Sequence, residues 1–297
     1  LYRLAKSSGA QATPISFPSD ISLGVAKAVY ILLEKYGEEF VPSDVAVLGD
    51  AYVEGVRRYQ EAEEEQPCGS IVYRVKEIAD NLYAGKPSLE LALFESCKKV
   101  NIGYFESIVA QLGSQFDSYV YESEAGVEGK KIVLENTPKV FTKSEGAVVY
   151  IPSEERKDIN TAVFINSQGN PTYEAKDMGL LALKFEKYNP DISIYVTDNQ
   201  QIEHFKVVFD AMSHIHPDWS QKSIHRYHGR MSFKGQKMAS RLGGVPTAEG
   251  MVSAVIEEVK EKNPDVTKES AEMTAIAAIK FTILRTQAGK DINFDPD

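Results

Sequence analysis

Val163-Phe164-Ile165-Asn166-Ser167-Gln168-Gly169-Asn170-Pro171-Thr172-Tyr173-Glu174-Ala175-Lys176-Asp177 decides the fold. It reads as a short β run, a glycine turn and the opening of a helix over 171–188. Asn170 is a good N-cap. Pro171 suits the first helical position, where an N–H has no partner anyway. Asn189-Pro190 closes the helix, since the residue before proline avoids the α region. Tyr173, Asp177, Leu181 and Phe185 recur every four residues, so the Asp177 carboxylate is predicted on the face that turns inward. A bare carboxylate there is costly unless a cation or hydrogen bonds meet it. Two readings stand at this point: an internal salt bridge to a core lysine or arginine, which is the commoner arrangement, or a pocket that recognises a cation. Tyr173 adds a hydroxyl one turn away on the same face.

Downstream, a strand over Ile192–Val196 leads through Thr197-Asp198-Asn199-Gln200-Gln201 into a helix to about 212. This β-α-β-α alternation predicts part of a parallel α/β sheet, with ligands expected outside the carboxyl ends of its strands. Gln201 lies at such an end, with His204 one turn on. By itself a strand-end glutamine is more often a surface loop residue. Next comes Tyr227-His228-Gly229-Arg230-Met231, then Gly235-Gln236-Lys237-Met238-Ala239-Ser240-Arg241-Leu242-Gly243-Gly244. Two glycines behind a Lys/Ser/Arg cluster suit a mobile loop that clamps phosphates, and equally suit a basic surface turn. It is not the phosphate loop Gly-x-x-x-x-Gly-Lys-Ser/Thr, whose glycines precede the lysine. His214, His216, His225 and His228 cluster in sequence. On a strand, however, His225 and His228 face opposite sides and no cysteine joins them, so no metal site is predicted.

Upstream the pattern is mostly helical. A helix end over 1–8 closes at Gly9, and a short strand follows near Thr13–Phe17. Asp20 is positioned to cap a helix carrying Val25, Val29, Leu32, Leu33 and Tyr36, which ends at Gly37. Further helices are predicted over 44–65, 71–82 and 88–112. The run Glu61, Glu63, Glu64 and Glu65 points around its helix and reads as a solvated end, not a metal site. From 116 the texture changes to β-type runs at 119–121, 148–150 and 162–165. Helices over 249–261 and 269–286 close the chain.

The 297 residues, 43% hydrophobic, allow one large domain with an insertion and exclude disorder as the default. No apolar run approaches the roughly 18 residues of a bilayer span. Cys68 and Cys97 show no metal or redox spacing, which points to a reduced, cytoplasmic setting. The formal charge of −10 argues against coating nucleic acid by bulk attraction. Any RNA contact needs a local basic patch or a part outside this chain. Leu1 at the start and Ile292-Asn293-Phe294-Asp295-Pro296-Asp297 at the end both read as cut.

Taken together these stretches resemble arginyl-tRNA synthetases, a class I family. The stretch 163–177 resembles that family's strand, glycine turn and Tyr-x-x-x-Asp helix. Tyr195-Val196-Thr197-Asp198-Asn199-Gln200-Gln201-Ile202-Glu203-His204-Phe205 resembles its next strand with a Gln-x-x-His start. Lys237-Met238-Ala239-Ser240-Arg241 is similar to the second class I signature, Lys-Met-Ser-Lys-Ser. Phe116-Asp117 with Glu122-Ser123, Ser144-Glu145-Gly146-Ala147 and Ile292-Asn293-Phe294-Asp295 also look like the family. The likeness runs over most of the chain and is most specific from 161 to 244.

The resemblance implies a truncated class I synthetase Rossmann-like parallel sheet with a mainly helical insertion. Residues 1–40 would be the remainder of the first half of the catalytic domain, 41–135 the insertion, 136–245 the second half, and 246–297 closing helices leading to an absent anticodon-binding domain. It implies that Tyr173, Asp177 and Gln201 bind the arginine side chain. The partner of Asp177 would then be a guanidinium, whose planar fork lysine cannot imitate. It implies that His228, Gly229, Met231 and Lys237 bind ATP, and that Lys237, Ser240 and Arg241 serve catalysis over its phosphates. MgATP enters as a substrate, with no tightly bound cofactor and no metal site. The partners implied are arginine, ATP and tRNA(Arg) for a monomeric cytoplasmic ligase, with no membrane. Three departures stand out. No His-x-Gly-His occurs, Ser240 replaces the second lysine of the signature, and no helical anticodon domain follows Asp297. The chain alone is therefore expected to be inactive. The alternative is a non-catalytic synthetase-like protein that binds arginine or RNA. A cysteine-specific relative would be expected to hold zinc, for which Cys68 and Cys97 give no layout.

Overall fold

The computed structural model describes residues 2–65, 70–233, 236–237 and 247–294. In chain order the elements are α1 (Tyr2–Ser7), β1 (Ile15–Ser16), α2 (Leu23–Tyr36), α3 (Val45–Glu65), α4 (Ser70–Ala84), α5 (Leu89–Gln111), β2 (Ser118–Tyr119) and α6 (Glu122–Glu135). Then follow β3 (Phe141–Ser144), β4 (Ala147–Tyr150), β5 (Ala162–Ile165), α7 (Tyr173–Tyr188), β6 (Ser193–Asp198), a 3-10 turn (Asn199–Gln201), α8 (Ile202–Ser213) and α9 (Pro217–Gln221). The last are β7 (Ser223–His228), β8 (Met231–Phe233), β9 (Gln236–Lys237), α10 (Ala248–Lys262), α11 (Lys268–Leu284) and β10 (Ile292–Phe294). Contacts divide the chain into two compact units. One is Leu1–Ser19, Ser118–Arg230 and Ala288–Asp291; the other is Asp20–Asp117, Met231–Gln287 and Ile292–Asp297.

The first unit is the α/β part. β1 pairs with β2 in parallel, and β6 pairs with β7 in parallel from Ser193↔Ser223 to Asp198↔His228. The β-type runs at 148–150 and 162–165 form, with β3, an antiparallel sheet β3-β4-β5. The physical reason is the two-residue turn between β3 and β4. Glu145 (φ 49°) and Gly146 (φ 82°) both take positive φ. Such a turn matches strand twist and folds a chain straight back, whereas parallel neighbours need a long crossover. The core gathers Val133, Phe141, Tyr150, Phe164, Leu181 and Met212. Tyr150 donates to Asp210 Oδ2 (2.6 Å) and Arg156 meets the other oxygen, tying β4 to α8.

The helix over 171–188 is present as α7, with two corrections at its start. Its N-cap is Thr172, not Asn170, and Thr172 makes no side-chain cap bond. Pro171 is still extended and bridges Ile165, while Thr172 Oγ1 donates to the Val163 carbonyl (2.6 Å). Asn170 is taken up in a turn in which its N–H donates to Asn166 Oδ1 (2.9 Å). Asn189 ends the helix in the left-handed conformation, as asparagine tolerates. Against α7 lies α6, which no periodicity in the sequence had marked. The two helices meet backbone to backbone. A Cβ on Gly129 would stand 1.7 Å from the Ala175 carbonyl oxygen, and one on Gly179 1.9 Å from that of Ala125. A buried ion pair, Lys176 Nζ to Glu122 Oε2 (2.8 Å), locks the same crossing.

In the second unit α2, α3, α4 and α5 enclose a core that includes Val29, Leu32, Val75, Ile78 and Phe94. Thus α2 lies with α3, α4 and α5 in the second unit, and α6 lies in the α/β unit. Asp20 does not cap α2. Ser22 does, accepting from the Val25 N–H (3.2 Å), while buried Asp20 pairs with Lys98 (2.7 Å). A small cluster with Met251, Val252, Val255, Ala275 and Ile279 joins α10 to α11.

Gly129→Ala should destabilise the protein by more than about 2 kcal/mol, because a methyl has no room at the α6–α7 crossing. Gly103→Ala, mid-helix in α5 with nothing within 4 Å of the added carbon, should stabilise by about 0.5–1 kcal/mol. Urea denaturation of both variants checks the pair.

Candidate functional site

The parallel pair β6–β7 carries Tyr195 and His225 side by side on one face. From α8, Phe205 stacks on His225 (4.4 Å between centroids) and packs on Tyr195 (5.2 Å). From α7, Lys184 Nζ lies 3.7 Å over the Tyr195 ring. Both helices are thus pinned to this face, and their opening turns come together. There His204 Nε2 lies 2.6 Å from Asp177 Oδ2, and His204 Nδ1 lies 3.6 Å from Glu174 Oε1. Glu174 and Asp177 are three residues apart and so share a helix face. The side chains of His204 and Asp177 are only 12% and 16% exposed, so the contact is largely shielded from water.

Burial by itself lowers the pKa of His204. The hydrogen bonds and charges of Asp177, then Glu174, outweigh it and raise the value to about 9. At neutral pH His204 is therefore an imidazolium that donates from Nε2 to Asp177, with Glu174 as an ion-pair partner near Nδ1. Burial raises the pKa of Glu174, but His204 together with local hydrogen bonds brings it below the ordinary carboxylate value. Burial depresses Lys184 to about 8, with Asp177 opposing only in part. His225 is lowered, first by burial and then by repulsion from His204, and its Nε2 lies 2.8 Å from Thr197 Oγ1.

Of the two readings left open for Asp177, the internal cationic partner is present. That partner is a histidine rather than the lysine or arginine first considered. Nothing in local spacing pointed to it, because His204 lies 27 residues away. The bond uses Oδ2, and among the described residues no other hydrogen bond reaches Asp177. Tyr173 opens α7 and is 58% exposed, so the apolar stripe emerges into solvent at that end. Gln201 ends the 3-10 turn and is exposed. Each lies about one turn before a member of the bonded pair. A groove of about 320 Å³ opens between α8 and β7, lined partly by Phe209, His225 and Tyr227. None of Tyr173, Asp177 and Gln201 lines it.

His228 ends β7, and its Nδ1 lies 2.8 Å from the Gly229 carbonyl. Gly229 has a packing reason of its own, since a Cβ there would stand 2.0 Å from the Lys290 carbonyl oxygen. Beside it the Arg230 N–H donates to Asp291 Oδ1 (2.8 Å). Sequence reading missed that Ala288–Asp291 returns to this strand end. Met231 and Lys237 belong to the second unit, in β8 and β9. Ser240 and Arg241 lie outside the described residues. Among the described residues no three His, Cys, Asp or Glu side chains gather as a metal site, and no helix is long and apolar enough to cross a membrane.

The parallel pair β6–β7, with α7 and α8 packed on one face, makes this unit an α/β domain. Within that class the chain belongs to the arginyl-tRNA synthetase family: the family model "tRNA synthetases class I (R), catalytic domain" matches residues 27–295. Among curated relatives, the arginine–tRNA ligase of Borreliella burgdorferi is 29% identical over 99% of this chain and 52% of its own length. The Thermus thermophilus arginyl-tRNA synthetase structure superposes with a TM-score of 0.73 at 22% identity, over 99% of this chain and 55% of that one. The Plasmodium falciparum enzyme gives a TM-score of 0.75 at 20% identity, over 100% of this chain and 49% of that one. The two structures share the fold. The chain spans about half the length of the curated relatives it matches.

His204 has a folded-state pKa (about 9) above its ordinary 6.5. Its contribution to stability is therefore complete below about pH 6.5 and is lost as pH rises through about 9. Thermal melts should show wild type exceeding His204→Gln by up to about 3 kcal/mol near pH 6, with the gap closing toward pH 10. A gap that widens with pH would contradict the assignment.

Proposed function

We propose that this chain is the arginine- and ATP-handling part of an arginine–tRNA ligase. The observation that carries the reading is the Glu174–His204–Asp177 cluster: two carboxylates and one imidazolium, net charge −1, with Asp177 Oδ1 free of other bonds among the described residues. A guanidinium adds a positive charge beside these two carboxylates, and its N–H groups suit a carboxylate oxygen. The Tyr173 hydroxyl and the Gln201 amide oxygen would accept its remaining donors. A site with this many acceptors discriminates against a ligand that leaves them unpaired.

ATP use follows from the family, with Mg2+ accompanying the nucleotide. His228, Gly229 and Met231 would approach adenine and ribose. Lys237, Ser240 and Arg241 would lie over the phosphates, with lysine as a point charge and arginine as a fork. The arginine carboxylate then attacks the α-phosphate, giving arginyl-adenylate and releasing pyrophosphate. A hydroxyl of the terminal ribose of tRNA(Arg) next takes the arginyl group and releases AMP. This chemistry rests on positioning and charge stabilisation, not on a protein nucleophile. The non-catalytic alternative is not favoured, because the matched relatives bear the ligase name over the whole of this chain.

Calorimetry of the complete gene product should show arginine bound and citrulline, its neutral isostere, rejected. Asp177→Ala should raise the KM for arginine in aminoacylation at least tenfold, about 1.4 kcal/mol or more. A change under about 1 kcal/mol is too small for a charge-assisted bond at a shielded site and would contradict the reading.

A further inference from the structure

His204 meets Asp177 from a different helix and through one oxygen only. A carboxylate on a short side chain rotates broadly about its last torsion. A guanidinium donor, in contrast, needs the acceptor oxygen in a defined plane. The Nε2 contact fixes that plane by holding Oδ2. The imidazole is itself steered from the other side by Glu174, at 3.6 Å from Nδ1, and its backbone is fixed where Phe205 stacks on His225. Resting on the arginine-site reading above, we propose that His204 is a positioning and specificity-determining residue: bridged between Glu174 and Asp177, it orients the Asp177 carboxylate and sets the charge that a single guanidinium balances.

This arrangement carries a thermodynamic signature. A guanidinium arriving at Asp177 Oδ1 adds positive charge beside the imidazolium and weakens its hold on the proton. Arginine uptake is then coupled to partial proton release from His204, and affinity rises with pH between about 7 and 9. The groups facing His204 are Glu174 and Asp177 from α7 and His225 from β7, while Lys184 of α7 and Tyr195 of β6 sense Asp177. Lys184 and the α-amino group of free arginine also titrate near this range. They remain unchanged in a His204→Gln variant, which cancels them in the comparison.

The test is calorimetric titration of L-arginine, in two buffers of different ionisation heat, into the complete gene product and its His204→Leu, His204→Gln and Asp177→Asn variants. Each variant is first checked for folding by thermal melt. His204→Leu should weaken arginine binding at least about tenfold, and leave ATP binding unchanged. His204→Gln, whose amide nitrogen replaces Nε2, should recover affinity to within about threefold near pH 7 but lose the extra proton release of the wild type. Wild-type affinity in His204→Leu, or equal proton release in wild type and His204→Gln, overturns the proposal. If His204→Leu does not fold, the proton-release comparison still decides. If Asp177→Asn also binds arginine normally, the arginine-site reading fails as well. If Asp177→Asn loses arginine while His204→Leu keeps it, only the positioning role fails.

Discussion

A carboxylate largely shielded from water needs a cation or hydrogen bonds, and in the α/β unit His204 meets that need for Asp177. The residue sits on a helix whose lower half is core: Leu181 and Phe185 are buried there among aromatic side chains. The helix cannot turn to expose the acid without exposing them. His204 is brought to it because α8 is fastened to β6–β7 through Phe205 and to β4 through the Tyr150–Asp210–Arg156 network. The pair is therefore a meeting point of independently anchored elements.

The same anchoring explains the other side of α7. A crossing without side chains, at Gly129 and Gly179, brings α6 within backbone contact. The buried Lys176–Glu122 ion pair then defines the rotation of α7 about its axis. Removing one member of such a pair leaves an uncompensated charge, which is far more costly than never having had the pair. One helix thus places two charged residues on opposite duties. Lys176 holds the scaffold, and Asp177, one position on, meets His204 of α8.

Much of this was legible in the residues. The apolar spacing of 173–188, the proline and asparagine boundaries, and the alternation with Ile192–Val196 located the helix and the parallel pair. Where local chemistry offered two candidates, spacing chose the wrong one. Asn170 and Asp20 are both good caps by type, yet turn and ion-pair contacts engaged them, and Thr172 and Ser22 occupy the cap positions instead. Helix α6 was hidden because Gly126 and Gly129 depress helix propensity; their value appears only when α7 is packed against them. The histidine partner of Asp177 was invisible for the same reason. His204 lies 27 residues away, and only the folded helices bring it near.

The central claim is that the Asp177 carboxylate, held by His204 through one oxygen, presents its other oxygen to a guanidinium. A crystal structure of the complete gene product with arginine bound tests it most directly. The account predicts a guanidinium nitrogen within about 3 Å of Asp177 Oδ1 while His204 Nε2 stays on Oδ2. Arginine seated elsewhere, with Asp177 bonded to His204 alone, would contradict it.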